Sequence, residues 1–318
     1  MDQGVRPIDE LNWGYRAARL LHVACGLDVF TILSKEQLSP GQLSKKLDIS
    51  TEMTGKMLIG CVAMGLLSKD SDCYINTDLA ATYLVKGEPL YQGDIIAHSA
   101  QVWNFWSELD DHVKGKAKPR DQMPFDHRSF IMGMHNIAVV GRAQMFLNSV
   151  DLTGRKQLLD VGGGPGTYSI TACKEYPDLQ AIVFDLPETI EIARKVIAGE
   201  EMQDRVTTRP GSWDTDDFGQ GNDVVLLSNI LHGPNSNAQM KLAKASNSMV
   251  GGGLLIIQEF LLDDDKTGPM IPALFNIMVG AYSRTELLAE VAHAGFVNAK
   301  LVSTSEQIGC SWITAVKK

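Results

Sequence analysis

The chain has little of what marks a membrane, secreted or nucleic-acid-binding protein. No apolar run approaches the roughly 18 residues of a membrane span. The opening residues, Met1–Glu10, are polar and lack the apolar stretch of a secretory signal, which predicts a cytoplasmic protein. The five cysteines (Cys25, Cys61, Cys73, Cys173 and Cys310) are odd in number and scattered. They form no C-x-x-C pair and no metal-ligand spacing, so they read as reduced thiols, with no metal implied. Basic charge is short too: 29 Lys and Arg stand against 38 Asp and Glu, a formal net charge of −9. A nucleic-acid partner wants clustered Lys and Arg, so none is expected. Internal repeats and low-complexity tracts are missing. What is present, 318 residues with 44% hydrophobic and 21% charged, suits a globular chain of about two domains.

The first third reads as helices. Trp13, Ala17, Leu20, Leu21, Ala24, Leu27 and Phe30 recur at three and four residues, the apolar face of one helix. Ser39-Pro40-Gly41-Gln42 is a helix start, with Ser39 as cap, Pro40 in the first turn and Gln42 completing a capping box. Leu43 and Leu47 give that helix its inner side. A second helix follows from Ser50, with Met57, Leu58, Cys61 and Val62 inward and Gly65 as its stop. Leu66–Thr77 then reads as two short strands around a turn at Lys69–Asp72. Helix, turn, helix and hairpin make a winged helix. Its second helix carries Glu52 and Lys56 and little else that could read base edges, which favours a structural or dimerising role over DNA binding. Farther on, Trp103, Phe105 and Trp106 cluster, as core or as the lining of an aromatic-tolerant pocket. Lys114–Pro124 reads as a loop or linker, and Phe130–Val150 is helical again.

From Gln157 the pattern changes. Short apolar runs at Gln157–Val161, Ala181–Asp185, Val206–Pro210, Asp223–Leu227 and Leu254–Gln258 alternate with helical segments, the signature of βαβ units in a parallel sheet with helices on both faces. Asn298–Val302 and Ser311–Val316 have only a loop between them, so they should pair antiparallel.

Leu158–Thr167 is the most informative stretch. A strand runs into Gly162-Gly163-Gly164-Pro165-Gly166 and then into a helix, so the backbone can approach a nucleotide-like ligand at the strand's C-terminal end. Asp185 ends the next run, where a carboxylate takes the two hydroxyls of a ribose. A dinucleotide fingerprint would need glycine where Thr167 stands. Asp160, at the mouth of the loop, would repel a diphosphate and would suit a ligand carrying an amino group and a sulfonium. The antiparallel final pair also fits a methyltransferase sheet better than a dehydrogenase one. S-adenosylmethionine is therefore favoured over NAD, and a tight turn without a ligand stays open.

With these residues the chain resembles the plant and bacterial class of small-molecule O-methyltransferases, such as caffeate and hydroxyindole O-methyltransferases. The resemblance covers nearly the whole chain. Leu159–Gly166 is close to that family's first motif, and Phe184-Asp185-Leu186-Pro187 matches its second very specifically. Asp223–His232, Gly251–Glu259 and Arg284–Phe296 follow in the expected order. The resemblance implies an α/β fold: a Rossmann-like seven-stranded methyltransferase sheet, mostly parallel with an antiparallel last strand, behind an N-terminal α-helical winged-helix dimerisation domain. It implies three parts: residues 1–95 for dimerisation, 96–150 as a helical connector contributing to the substrate pocket, and 151–318 as the S-adenosylmethionine-binding catalytic domain. A homodimer acting on a small-molecule substrate, away from membranes, is implied as well.

The resemblance places the cofactor on Asp160, Gly162, Gly164, Asp185, Leu186, Ser212, Trp213 and Ser228. Candidate residues for the acceptor pocket are Trp103, Trp106, Met134, His135, Asn136, Asn229 and Asn276, with an ordinary structural role as the alternative for each. The sequence also departs from the family. Ser212-Trp213 stands where an acidic residue usually holds the adenine amino group; a hydroxyl can still accept that bond and an indole can stack on adenine. Ser228 stands where the family often has Lys. Gly233-Pro234 follows the His that Asp-Trp commonly follows. Ser283 aligns with the family's second carboxylate, and Ser283-Arg284-Thr285-Glu286 is itself a capping box. The loop before Ser283 is shorter than in the plant enzymes, which implies a different or smaller acceptor.

His232, at the end of Asp223–Leu231, matches the family's general base. Glu259 ends the next strand and could hold the imidazole in one tautomer and stabilise its charged form. With a methyl already activated on a charged sulfur, the chemistry needs an acceptor in line at roughly 3–3.5 Å and a base for its proton. The expected activity is methyl transfer to a hydroxyl, or to a thiol. Two other classes stay open on sequence alone: a cofactor-binding relative that hydroxylates, decarboxylates or cyclises, and a cofactor-sensing winged-helix regulator.

Overall fold

In a computed structural model the described residues are 4–117 and 125–318. They form two compact units, Met1–Ile137 and Ala138–Lys318. The segment 96–150 is divided between them. Helix Gly93–Ser107 packs on helix His127–Ile137 in the first unit, while helix Ala143–Ser149 buries Phe146 on the sheet of the second. Of the expected Lys114–Pro124 linker, residues 118–124 lie outside the described residues.

The first unit opens with helix Arg6–Gly26, which ends where Asp28 takes a left-handed conformation before the short helix Val29–Leu33. Both bonds of the Ser39/Gln42 capping box form at helix Pro40–Leu47. Ser50 caps helix Thr51–Ala63, and Gly65, at φ +72°, follows its end. Strands β1 (Leu67–Asp70) and β2 (Cys73–Asn76) then pair antiparallel. Phe30, Leu43, Leu58, Cys61, Leu67 and Tyr74 are the centre of this unit's core. The N-terminal half of the first helix stays outside that core: Trp13 is 61% exposed, and Ile8, Leu11 and Tyr15 are exposed beside it.

The second unit is built on a seven-stranded sheet. Its strands are β3 (Gln157–Val161), β4 (Gln180–Asp185), β5 (Val206–Pro210), β6 (Asn222–Ser228), β7 (Met249–Glu259), β8 (Phe296–Ser305) and β9 (Cys310–Lys317). Their order is β5-β4-β3-β6-β7-β9-β8, all parallel neighbours except β9, which runs antiparallel to both β7 and β8. Side chains alternate between the two faces, as a pleated strand requires. Leu159, Val161, Val225, Leu227, Leu255 and Ile257 pack under helices Ala238–Ser248 and Arg284–His293. Leu158, Val224, Leu226, Ile256 and Trp312 pack under helices Thr167–Glu175 and Pro187–Gly199. Burial on both faces explains why these strands read as continuous apolar runs. The chain leaves β3 toward β4 and returns to β6 on the other side. The loops after β3 and β6 therefore diverge, which opens a ligand crevice at the carboxyl edge.

Among the described residues, no helix is long and apolar enough to cross a membrane. Among the same described residues, no group of three or more His, Cys, Asp or Glu could hold a metal ion. All five cysteines are free thiols.

Candidate active site

The glycine loop lies at that crevice. Gly162 (φ +65°) follows β3 directly, and a Cβ there would lie 2.8 Å from the Trp213 indole and 3.0 Å from Ile230. Glycine thus lets the loop touch the segments after β5 and β6 at once. A Cβ on Gly164 (φ +54°) would meet open space, so backbone conformation, not crowding, demands glycine there. The Gly164 amide donates to Asp185 Oδ2 at 2.8 Å, and the Leu186 amide to Oδ1 at 2.7 Å. These bonds fix the carboxylate at the end of β4. An ionised carboxylate has about four lone-pair sites, so ribose hydroxyls can add to the same two oxygens.

Asp160 is fully buried beneath the loop. Ser169 donates to its Oδ2 at 2.8 Å, while Oδ1 has no hydrogen-bond partner. Burial pushes its carboxyl up to about 7, with the neighbouring Asp185 charge adding to the rise and Ser169 opposing it. An orphaned buried acceptor and an open cradle over Gly164 fit a ligand that brings an amino group and lies along the backbone.

Ser212 and Trp213 follow Gly211. The Ser212 hydroxyl accepts from the Asp214 amide at 3.2 Å, and its own amide donates to Asp216 Oδ2 at 2.7 Å, so this serine shapes its own turn. Ser228 donates to Gln258 Oε1 at 2.7 Å, and Gln258 Nε2 in turn donates to the Cys310 thiol at 2.9 Å. A buried polar chain thus runs across β6, β7 and β9.

His232 and Glu259 come together. Nδ1 of His232 lies 3.0 Å from Oε2 of Glu259, whose other oxygen accepts from the Leu231 amide at 2.7 Å. Glu259 is buried, and the His232 side chain is 27% exposed, open enough for a substrate to reach. Burial pushes the imidazole's pKa down, as does the Lys241 charge. The Glu259 charge and hydrogen bond outweigh both, and the net shift is upward from 6.5. With Nδ1–H donating to Glu259, Nε2 is left as the acceptor of a proton.

Gly233 (φ +60°) explains the missing Asp-Trp. A Cβ there would lie 2.9 Å from the Ala281 nitrogen and 3.0 Å from the Gly280 backbone, so a side chain after His232 would collide with the turn after helix Met270–Val279. Ser283 forms both bonds of its capping box with Glu286, which accounts for the serine.

The acceptor candidates fall in both units. Trp103 lies on helix Gly93–Ser107, T-shaped to His22 at 6.0 Å, and Trp106 is edge-on to Phe105 on the same helix. Met134 and His135 lie on helix His127–Ile137, next to the buried Asn136 that caps helix Gly93–Ser107 through the Asp94 and Ile95 amides. In the second unit, Asn229 sits in a left-handed conformation (φ +53°) right after β6, with its buried Oδ1 unpartnered. Strained non-glycine backbone of this kind concentrates at functional sites. Asn276 Oδ1 accepts from the Ala281 amide and closes the end of its own helix.

Sequence reasoning missed an aromatic wall. Phe260 lies nearly parallel to the His232 ring at 6.2 Å, and Phe275 stacks on Phe260 at 4.1 Å and 10°. Phe260 directly follows Glu259, and Phe275 falls in the almost wholly apolar run Met270–Val279; those were the available signals.

Sheet order and loop chemistry define a nucleotide-fold methyltransferase, and the comparisons with known proteins narrow this. Residues 115–294 match the O-methyltransferase domain, and residues 10–86 match the O-methyltransferase dimerisation domain. The chain is 30% identical to a 3-hydroxy-5-methyl-1-naphthoate 3-O-methyltransferase of Streptomyces sahachiroi, over 98% of this chain and 90% of the relative. It is 28% identical to the acetylserotonin O-methyltransferase of Bos taurus, over 91% of this chain and 90% of that one. The structure of human N-acetylserotonin methyltransferase in complex with SAM superposes with a TM-score of 0.88 at 21% identity, covering 100% of this chain and 98% of that one. The protein belongs to the O-methyltransferase family, whose methyl donor is S-adenosylmethionine. Neither a non-methylating relative nor a cofactor-sensing regulator is favoured by this assignment.

Proposed function

We propose that the protein methylates a hydroxyl group of a small, flat molecule, with His232 as the base. The observation that carries this reading is the His232–Glu259 pair, 3.0 Å apart, with His232 on the loop after β6 and Glu259 at the end of β7, on the same carboxyl edge of the sheet as Gly162 and Asp185. When bound, S-adenosylmethionine supplies a methyl group on a positively charged sulfur. The chain's own residues do the rest. Asp185 takes the ribose hydroxyls, and Asp160, buried beneath the glycine loop, supplies negative charge under the amino group. Leu186, Trp213 and the Ser212 turn border the adenine ring, with Gly162, Gly164 and Ser228 lining the floor. Nε2 of His232 takes the acceptor's proton as the oxygen attacks the methyl carbon, and Glu259 stabilises the imidazolium that results.

Phe260 and Phe275 offer a flat apolar wall next to the imidazole, which supports a ring-bearing acceptor. The Streptomyces relative, named for a hydroxylated naphthoate, agrees with that shape. A library of phenols, alcohols, hydroxy acids and thiols, screened with methyl-labelled donor, tests the reading. Label recovered as a methyl ether is expected; tight donor binding with no acceptor methylated would refute it.

We also infer a homodimer built through the first unit. The exposed face of helix Arg6–Gly26 borders an open apolar groove of about 690 Å³ lined by Tyr15, Leu20, Val23, Met53 and Met57. An apolar patch of that kind rimmed by Arg16, Arg19 and Lys56 marks an interaction surface. The expected result is a dimer by sedimentation at micromolar concentration, and a monomer when Leu20 and Met53 are replaced by Glu. A wild-type monomer would contradict it.

A further inference from the structure

Lys241 carries a charge into the core. Helix Ala238–Ser248 otherwise presents Ala238, Leu242 and Ala245 inward, and Lys241 lies among them at 5% exposure. A buried ammonium is costly unless something compensates it, so its partners show what it is for. Nζ donates to the Ile230 carbonyl at 2.7 Å, two residues before His232. The same atom stands 4.8 Å from the centre of the Trp213 ring, within cation–π range. Trp213 is gripped from this helix a second time: Nζ of Lys244 donates to the Trp213 and Asp214 carbonyls at 2.7 and 2.9 Å. The indole also reaches the glycine loop, where it occupies the space that a Cβ on Gly162 would need.

We propose that Lys241 is a positioning residue that fixes the Trp213 indole as the adenine platform and ties it to the segment carrying His232. The proposal rests on the reading above that the Ser212–Trp213 turn borders the adenine ring. Its physical basis is direct. An indole on an irregular loop has its own rotamers, and each one populated in the free protein dilutes the binding-competent form. An ammonium held by a backbone carbonyl at one end and by the ring at the other selects one of them. The hydrogen bond to Ile230 lets the same group hold the base-side loop at the crevice.

The test is a double-mutant cycle on the full chain, read by calorimetry with S-adenosylhomocysteine so that no acceptor is needed. K241M keeps the stem and loses the charge; K241R keeps a cation that can lie over the ring. K241M is expected to weaken binding about 10-fold, equivalent to about 1.4 kcal/mol, and K241R to restore most of it. In a W213L background, itself weakened, K241M should add almost nothing, because the platform it serves is gone. Should K241M fail to fold, K241Q replaces it, keeping a donor for Ile230 without the charge, with the same loss expected. If W213L binds weakly while K241M binds like wild type, the role of Lys241 is overturned and the adenine reading stands. Full additivity of the two losses also overturns it, as the mark of general destabilisation. If W213L binds like wild type, the adenine reading of the turn is wrong and the proposal falls with it.

Discussion

Replacing His232 with alanine is expected to slow methyl transfer about 10²–10⁴-fold, the usual worth of a general base, while S-adenosylhomocysteine still binds with nearly unchanged affinity. The imidazole lies on the loop after β6, whereas Asp160 and Asp185, proposed to serve the amino group and the ribose, lie on β3 and β4. Glu259→Gln should cost less, because it spoils orientation and charge stabilisation without removing the base. The double variant should be little worse than His232→Ala alone, since residues acting as one unit are strongly non-additive. The loss also reports on the acceptor: an alcohol or phenol, hard to ionise, suffers most, and a thiol, already partly ionised, suffers least. Single-turnover rates with labelled donor decide it. A His232→Ala variant that methylates at the wild-type rate would remove His232 from the mechanism.

The second large effect concerns the donor. Asp185→Ala is expected to weaken S-adenosylmethionine and S-adenosylhomocysteine binding by on the order of 1.5–3 kcal/mol, the cost of losing hydrogen bonds to a charged acceptor. That is about 10–150-fold in affinity. Beyond the proposed ribose contact, the carboxylate also holds the Gly164 and Leu186 amides. Asp185→Asn keeps one acceptor oxygen and should lose less. NAD should bind none of these proteins. Calorimetry on the wild type and the two variants is sufficient, and an unchanged affinity in Asp185→Ala, or tight NAD binding to the wild type, would sink the assignment.

The central strands were legible because they are buried on both faces: Gln157–Val161 is bounded in the structure as its apolar run and the glycines after it predict. The edge strand Val206–Pro210, buried only at Val206, is marked instead by the Pro210-Gly211 that ends it. Local chemistry was equally clear: the Ser39 and Ser283 capping boxes depend on side chains three residues apart, and both close. The antiparallel pairing of β8 and β9 followed from the short loop between them, but the insertion of β9 beside β7 did not.

At the site, Asp160, Asp185, His232 and Glu259 were visible because each ends a strand or borders a loop that the sequence marks. The aromatic wall was not, since Phe260 and Phe275 meet only once helix Met270–Val279 folds back on the end of β7. The Gly233 departure from the family's Asp-Trp was equally opaque until Gly280 was seen against it. Asn136 looked like a pocket residue and is a helix cap, a role fixed by a contact with residues more than 40 positions away.

The central claim, that His232 held by Glu259 takes the proton of the acceptor hydroxyl, is tested most directly by the pH dependence of kcat/KM. The imidazole must be neutral to act. Glu259 raises its pKa above 6.5, so activity should fall as the pH drops through an inflection above that value. Glu259→Gln removes the charge that raises it, so the same inflection should move to lower pH even as the maximal rate declines. A wild-type profile that is flat between about pH 6 and 9, or an inflection that stays where it was in Glu259→Gln, would contradict the account.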